Sequence, residues 1–323
     1  MRLAEARCGC GADDACCRGG RDQSRSVLLV GRAVAGTSTV RRLVERIDDD
    51  MIVSVERAFH VIEYLADLVD GASLADLARH LDVNKAIALR ILATLEAVGV
   101  VWRDDRVQRY NLTFRISNLG LRQLQKSRLL DQCAAGLRSL ADQTGELVRL
   151  AIVEVNDSIN WVHAVAGTKR SLQIDPNYSL EIRLNAHAIA KAWLSTMSFD
   201  RALKLMRRQG IVALTKNSKT AVEALRADLK LAAKRRFATS YEESEMGVSA
   251  IAAPIVVTTL SGKHECVGAV SLAAPTNRMG PKAFEACAPL LIETVDRLGK
   301  IWPLEARTLR ILQPRRRRAA LRR

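Results

Sequence analysis

The stretch Leu74–Val101, "LADLARHLDVNKAIALRILATLEAVGVV", decides how the rest of the chain is read. Its apolar residues fall at helical spacing on both sides of Asp82-Val83-Asn84, and Gly99 precedes a β-branched run. Ser73, just upstream, is placed to cap the first helix, with Leu74, Leu77, Ala78 and Leu81 turned inward. Asn84 is placed to cap the second, roughly Lys85 to Val98, which turns Ile87, Ile91, Leu92 and Leu95 inward. Gly99 ends that helix at the C′ position. Two helices across so short a turn read as a helix-turn-helix.

The flanks extend this reading. Upstream, "SVERAFHVIEYLADLV" puts Val55, Ala58, Ile62, Leu65 and Leu68 or Val69 on one stripe behind Ser54 as N-cap. Downstream, "VVWRDDRVQRYNL" reads as a β-hairpin turning at Asp104-Asp105. Three helices and a ribbon make a winged helix-turn-helix over residues 52–113; a plain helical hairpin would leave the ribbon unexplained. Such a domain sends its second paired helix into the major groove and its wing to the flanking backbone. The odd feature is "NKAIAL", where a reading helix should be polar.

Composition alone does not settle the matter. The chain has 323 residues, enough for two domains with a core in each, and no apolar run approaches the ~18–20 residues that span a bilayer. Net charge is +15, yet residues 304–323 hold eight Arg against one Glu, and residues 51–112 hold seven Lys/Arg against nine Asp/Glu. DNA binding must therefore be argued from local geometry. The tail, with its "PRRRRAALRR", is expected to be disordered and to add non-specific affinity by counterion release. Four of seven cysteines (Cys8, Cys10, Cys16, Cys17) crowd the start, without the spacing of a zinc site. Close thiolates can hold a soft metal, but residues 1–51 read as a disordered extension; a second reading puts the natural start at Met51. "SVLLVGRAVAG" is short, follows acidic residues and lacks a small-residue cleavage site, so it is not read as a signal peptide. Scattered Cys133, Cys266 and Cys287 suit a reducing cytoplasm, and no membrane association is expected.

No GxSxG, P-loop, GxGxxG or HExxH is present, and His60, His80, His163, His187 and His264 show no ligand spacing. The chain therefore reads as neither an enzyme nor a holder of metal or cofactor. "FRISNLGLRQLQKSRLLDQCAAGLRSLADQTG", residues 114–145, reads as an amphipathic linker helix broken near Ser127 or Leu129 and too apolar to stand alone in water. Residues 146–303 then alternate. "ELVRLAIVEV", "SINWVHAVA", "RSLQIDP", "FATSYEE", "SAIAAPIVV" and "ECVGAVSLAA" read as strands; "LNAHAIAKAWLSTM", "KTAVEALRADLKLAAKRR" and "PKAFEACAPLLIETVDRLGKIW" read as helices. An α+β domain with an antiparallel sheet is expected.

Residues ~52–303 resemble the IclR family of bacterial transcriptional regulators. The resemblance is carried by "SVERAFHVIEYLAD", by the helix-turn-helix stretch, and by "RYNLTFRISNLG" running into the linker. It continues in the small-residue helix with its Lys-Ala pair, "LNAHAIAKAWLSTM", and in "FATSYEESEMGVSAIAAPIV". It implies a C-terminal domain of GAF-like fold that binds a small organic or aromatic acid. It also implies dimers through the DNA-binding domain and linker, and often tetramers through the effector domains.

The DNA contacts expected are Asn84, Lys85, Ala86, Leu89 and Arg90 on the reading helix, with Ser73 before it and Arg103, Arg106 and Arg109 on the wing. Lys85 and Arg90 can donate to guanine or phosphate, and Ala86 or Leu89 can meet a thymine methyl. Relatives usually carry Ser or Thr early on this helix, where this chain has Ala86 and Ile87. Carried over from the family, the effector residues are Ala188 and Ile189 at a helix start, with Ser240, Ala250, Ser271 and Ala273 on facing strands. Trp161, Asn185 and His187 can reach the same cavity, or be buried for structure alone. One or more of Glu242, Glu243 and Glu245 should pair with basic groups. The rival reading is a ligand sensor with impaired specific DNA binding.

Overall fold

A computed structural model describes residues 52–167, 172–176, 181–259 and 262–302. The expectations for residues 1–51 and for the basic tail lie outside the described residues.

The first helix, α1 (Val53–Ala66), begins one residue before Ser54, so Ser54 lies in its first turn and does not cap it. Its inward residues are Val61 and Leu65, flanked by Ala58 and Ile62, while Val69 is fully exposed beyond its end. After β1 (Ala72–Ser73) comes α2 (Leu74–His80), capped as expected. The Ser73 hydroxyl accepts the Asp76 N–H at 3.2 Å and donates to the Asp76 carboxylate at 2.7 Å, and that carboxylate also accepts the Ser73 N–H. This reciprocal box satisfies two backbone donors at the helix start. Asp82 takes φ +50° in the turn, a conformation short polar side chains tolerate. Asn84 Oδ1 then accepts the Ile87 N–H at 2.9 Å to start α3 (Lys85–Ala97), and Gly99 follows that helix at φ +71°.

The wing pairs β2 (Val101–Asp104) antiparallel to β3 (Arg109–Leu112), from Val101 opposite Leu112 to Asp104 opposite Arg109. The structure adds to the expected ribbon: β1 joins the other edge of β3, giving the order β1-β3-β2. Gly71 permits this approach. It sits at φ +66°, and a Cβ there would meet the Tyr110 carbonyl oxygen at 2.3 Å.

The linker is broken where the sequence suggested. Helices α4 (Arg115–Ser127) and α5 (Leu129–Thr144) meet at Arg128, which adopts φ +50°. The Ser127 hydroxyl bridges the break, donating to the Leu124 carbonyl at 2.7 Å and accepting the Leu129 N–H at 3.3 Å. α5 buries Leu129, Cys133, Leu137 and Leu140, whereas α4 buries nothing: Phe114, Leu119 and Leu121 stay exposed.

Five strands form the second sheet: β4 (Leu147–Val153), β5 (Ile159–Val165), β6 (Ala238–Tyr241), β7 (Val248–Thr258) and β8 (His264–Pro275). They run antiparallel in the order β5-β4-β8-β7-β6. Strand alternation sorts the residues by size. Val148, Leu150, Ile251, Val270 and Leu272 face a core shared with α5 and α9 (Pro281–Ile301). Ala151, Ala252 and Ala269 face the other way, where small side chains let α6 (Ala188–Leu194), α7 (Phe199–Gln209) and α8 (Val222–Arg235) pack. The sequence expectation missed α7. The expected strand "RSLQIDP" is not one: Leu172–Pro176 carry no strand, and a proline cannot donate to a ladder.

Replacing Ser73 by Ala should cost α2 about 1 kcal/mol, read as roughly fivefold faster amide exchange confined to that helix.

Candidate DNA-reading helix and ligand cavity

The two ends of α3 and its outward face are set by the caps just described. Lys85, Ala86, Leu89 and Arg90 are exposed, while Ala88, Ile91, Leu92 and Leu95 turn into the core and Ile87 is half-buried against it. Ser73 and Asn84, both expected DNA contacts, use their side-chain oxygens as caps. The wing arginines divide. Arg106 is exposed near the hairpin tip, with its backbone N–H on Asp104 Oδ1. Arg103 lies over the Tyr110 ring and donates to Gln108. Arg109 is spent within the fold: its guanidinium donates to the Asp70 and Gly71 carbonyls, each at 2.9 Å, bracing the wing against the loop before β1.

In the second domain, Ala188, Ile189, Ser240, Ala250, Ser271 and Ala273 line one cavity of about 40 Å³. That is room for about three waters. His187 and Trp161 line it too, whereas Asn185 does not. The Asn185 amide instead donates to the Val212 and Lys219 carbonyls, tying down the loop after α7. The residue that sequence reasoning missed is Arg149, buried in the same wall with its guanidinium 4.9 Å from the Trp161 ring. Its signal was visible in "LVRLAIV": a lone charge at an inward position of an apolar strand. Arg149 adds a charged group to the cavity wall.

Two residues of the lining, His187 and Ser240, each carry a buried donor. His187 Nδ1 accepts the Arg183 N–H at 3.0 Å, which puts the ring proton on Nε2. Nε2 is buried with no partner among the described residues, and so is the Ser240 hydroxyl. Burial, reinforced by the charges of Arg149, Lys191 and Arg183, pushes His187 from its ordinary 6.5 down to about 4.

Beside the cavity lies a buried ionic cluster. Lys191 Nζ, on α6, meets Asp228 of α8 at 2.7 Å and Glu243 at 2.6 Å, and donates to the Thr239 carbonyl. Lys219 meets the same two carboxylates at 2.8 and 3.3 Å. Burial alone would raise the Asp228 pKa, but the two lysines hold it below the ordinary carboxylate range. Of the three expected glutamates, Glu243 makes the ion pairs. Glu242 instead accepts from the Asn217 amide and the Gly247 N–H, and Glu245 lines the cavity. Among the described residues no group of three or more His, Cys, Asp or Glu is arranged to hold a metal, and no helix is long and apolar enough to cross a membrane.

Glu243→Ala would leave Lys191 and Lys219 sharing one carboxylate in a buried setting. A loss of about 3–5 kcal/mol is expected by urea denaturation. His187 yields a pH dependence of opposite origin. Its folded pKa lies below 6.5, so its contribution is complete above that pH and is lost as pH falls toward 4, where the unfolded chain takes the proton first. The loss should approach roughly 3 kcal/mol, and His187→Gln should flatten that limb of the stability curve.

Residues 54–105 match the family model described as the IclR helix-turn-helix domain, and residues 121–299 match that of the bacterial transcriptional regulator IclR C-terminal domain. The HTH-type transcriptional regulator BhcR of Paracoccus denitrificans is 27% identical over 252 residues, 78% of this chain and 88% of its own. The IclR-type regulator structure from Alicyclobacillus acidocaldarius superposes with TM-score 0.67 at 23% identity, covering 77% of this chain and 98% of that one. An IclR homolog from Microbacterium hydrocarbonoxydans, solved with 4-hydroxybenzoate, gives TM-score 0.62 at 18% identity over 76% of this chain and 98% of that one. With both domains matched in order and on this fold, the chain belongs to the IclR family of DNA-binding transcriptional regulators.

Proposed function

We propose that this regulator binds a two-fold operator as a dimer and that a small organic or aromatic acid in the cavity beneath α6 modulates that binding. The observation that carries the ligand part is the pair of buried donors, His187 Nε2 and Ser240 Oγ, that line the cavity without a partner among the described residues. A buried donor left unmade costs about 1–3 kcal/mol, which an acceptor-rich ligand recovers. Arg149 in the same wall favours an anion, Trp161 offers an aromatic surface, and Ala188 and Ile189 bring backbone N–H groups at the start of α6. The homolog from Microbacterium hydrocarbonoxydans, with its 4-hydroxybenzoate, supports an aromatic acid as the first to try. At about 40 Å³ the cavity must open to admit one.

On the DNA side, Lys85 and Arg90 are assigned to guanine or phosphate, and Arg103 and Arg106 to the backbone beside the wing. Ser73 and Asn84 act by fixing the helices, and Arg109 by holding the wing. The exposed Phe114 at the start of α4, with Leu119 and Leu121 on it, supports dimerisation through the linker, since so much apolar surface along one short segment favours a second copy. The protein acts in the cytoplasm and has no catalytic role.

A gel-shift titration on the DNA upstream of its own gene tests this reading. The wild-type chain should give a saturable, competitor-resistant shift, lost when Lys85 and Arg90 are both changed to Ala. Saturating 4-hydroxybenzoate, or another acid from a panel, should change the affinity by at least about fivefold, less so in Ser240→Ala. A shift that no acid alters removes the ligand part. Intact dimers giving no selective shift would instead favour the sensor reading, which the apolar face of α3 motivates.

A further inference from the structure

We propose that α3 reads thymine through its 5-methyl group, using Leu89 with Ala86 and Ala93, so that A·T pairs are recognised by apolar contact and not by hydrogen bonding. The inference rests on the assignment of α3 to the major groove. Its origin is the outward face of that helix. Ala86, Leu89 and Ala93 fall at i, i+3 and i+7 and are exposed, with Lys85 and Arg90 beside them. Leu89 is 45% exposed, the one large apolar side chain on this face. A single exposed leucine elsewhere would mean little. Here it stands between two cations on the second helix of a helix-turn-helix.

The decisive point is what the face lacks. Adenine is read in the major groove by an amide that accepts from N6–H and donates to N7 at once. Asn84 holds the only side-chain amide at this helix, and its Oδ1 already accepts the Ile87 N–H. Thr94, one turn beyond Arg90, donates its hydroxyl to the Arg90 carbonyl at 2.8 Å. Lys85 and Arg90 carry donors only, which suits guanine O6 and N7 or a phosphate but offers nothing to the N–H groups of adenine or cytosine. The one apolar feature in the groove is the thymine methyl. Seating Leu89 over any other base edge would leave polar groups dry and unpaired, which selects against that base. Phosphate attraction leaves room for this term, because residues 51–112 hold more acids than bases.

The test begins with duplexes selected by the full-length chain from a random library. Thymines in the selected half-sites are then replaced by deoxyuridine, which removes only the methyl. Each contacted methyl should be worth about fourfold in affinity, the factor for burying one CH₂, and about fifteenfold where both halves of the site contribute. Leu89→Ala, at an exposed position, should keep its melting temperature and bind the thymine and uracil duplexes almost equally. Exchanging a contacted T·A pair for C·G should weaken binding, and methylating that cytosine at C5 should restore part of it. Equal binding of thymine and uracil duplexes by the wild type overturns the proposal, as does full discrimination retained by Leu89→Ala. Failure to enrich any duplex overturns the assignment of α3 to the groove, and the methyl reading with it.

Discussion

A lysine is buried here only because two carboxylates come to meet it, and much of the C-terminal domain is arranged to make that meeting possible. Lys191 sits 1% exposed on α6. Its two partners come from α8 and from the loop between β6 and β7, and Lys219 from a further loop closes the cluster with no net charge. The interior tolerates the charges of Lys191, Asp228 and Glu243 because each is paired, with the half-buried Lys219 completing the balance at the edge; removal of either carboxylate would leave a lysine short of a partner. The same anchoring fixes the two chain segments that flank the cavity. His187 to Ile189 precede Lys191 on α6, and Ser244 and Glu245 follow Glu243 directly.

Sheet alternation supplies the other half of that arrangement. Large aliphatic residues face α5 and α9, while alanines and serines face α6, so the helix can lie close and a small space remains beneath it. Arg149 belongs to this second face by parity alone, alternating with Val148 and Leu150. The cavity is thus a by-product of residue size on one side of a sheet, and its polarity comes from the few positions where alanine is not used.

Features governed by neighbours in sequence were legible in advance. The caps at Ser73 and Asn84 and the break beside Ser127 follow from side chains reaching backbone within four residues, and the stop at Gly99 from the left-handed conformation that glycine adopts freely. Six cavity residues were placed through the family resemblance, not through periodicity. What escaped was long-range or short. β1 has two residues, too few for a pattern, and exists because Gly71 lets it reach β3. Arg109 read as a free cation on the wing, but its partners lie 38 and 39 residues away. For Asn185 the sequence left both a cavity role and a structural one open, and the choice rests on carbonyls of a later loop.

The break at Arg128 has a mechanical meaning. α4 is 13 residues long, about 20 Å at 1.5 Å per residue, and it is joined to a well-buried α5 through one residue in the left-handed region. Its geometry is that of an arm set on one hinge residue, not of the end of a continuous rod. A rotation of about 10° at that pivot carries the far end of α4 by about 3 Å, comparable to the rise of one base step along a duplex, about 3.4 Å. Whatever moves α5 by a little can therefore move whatever α4 carries by a distance that DNA registers.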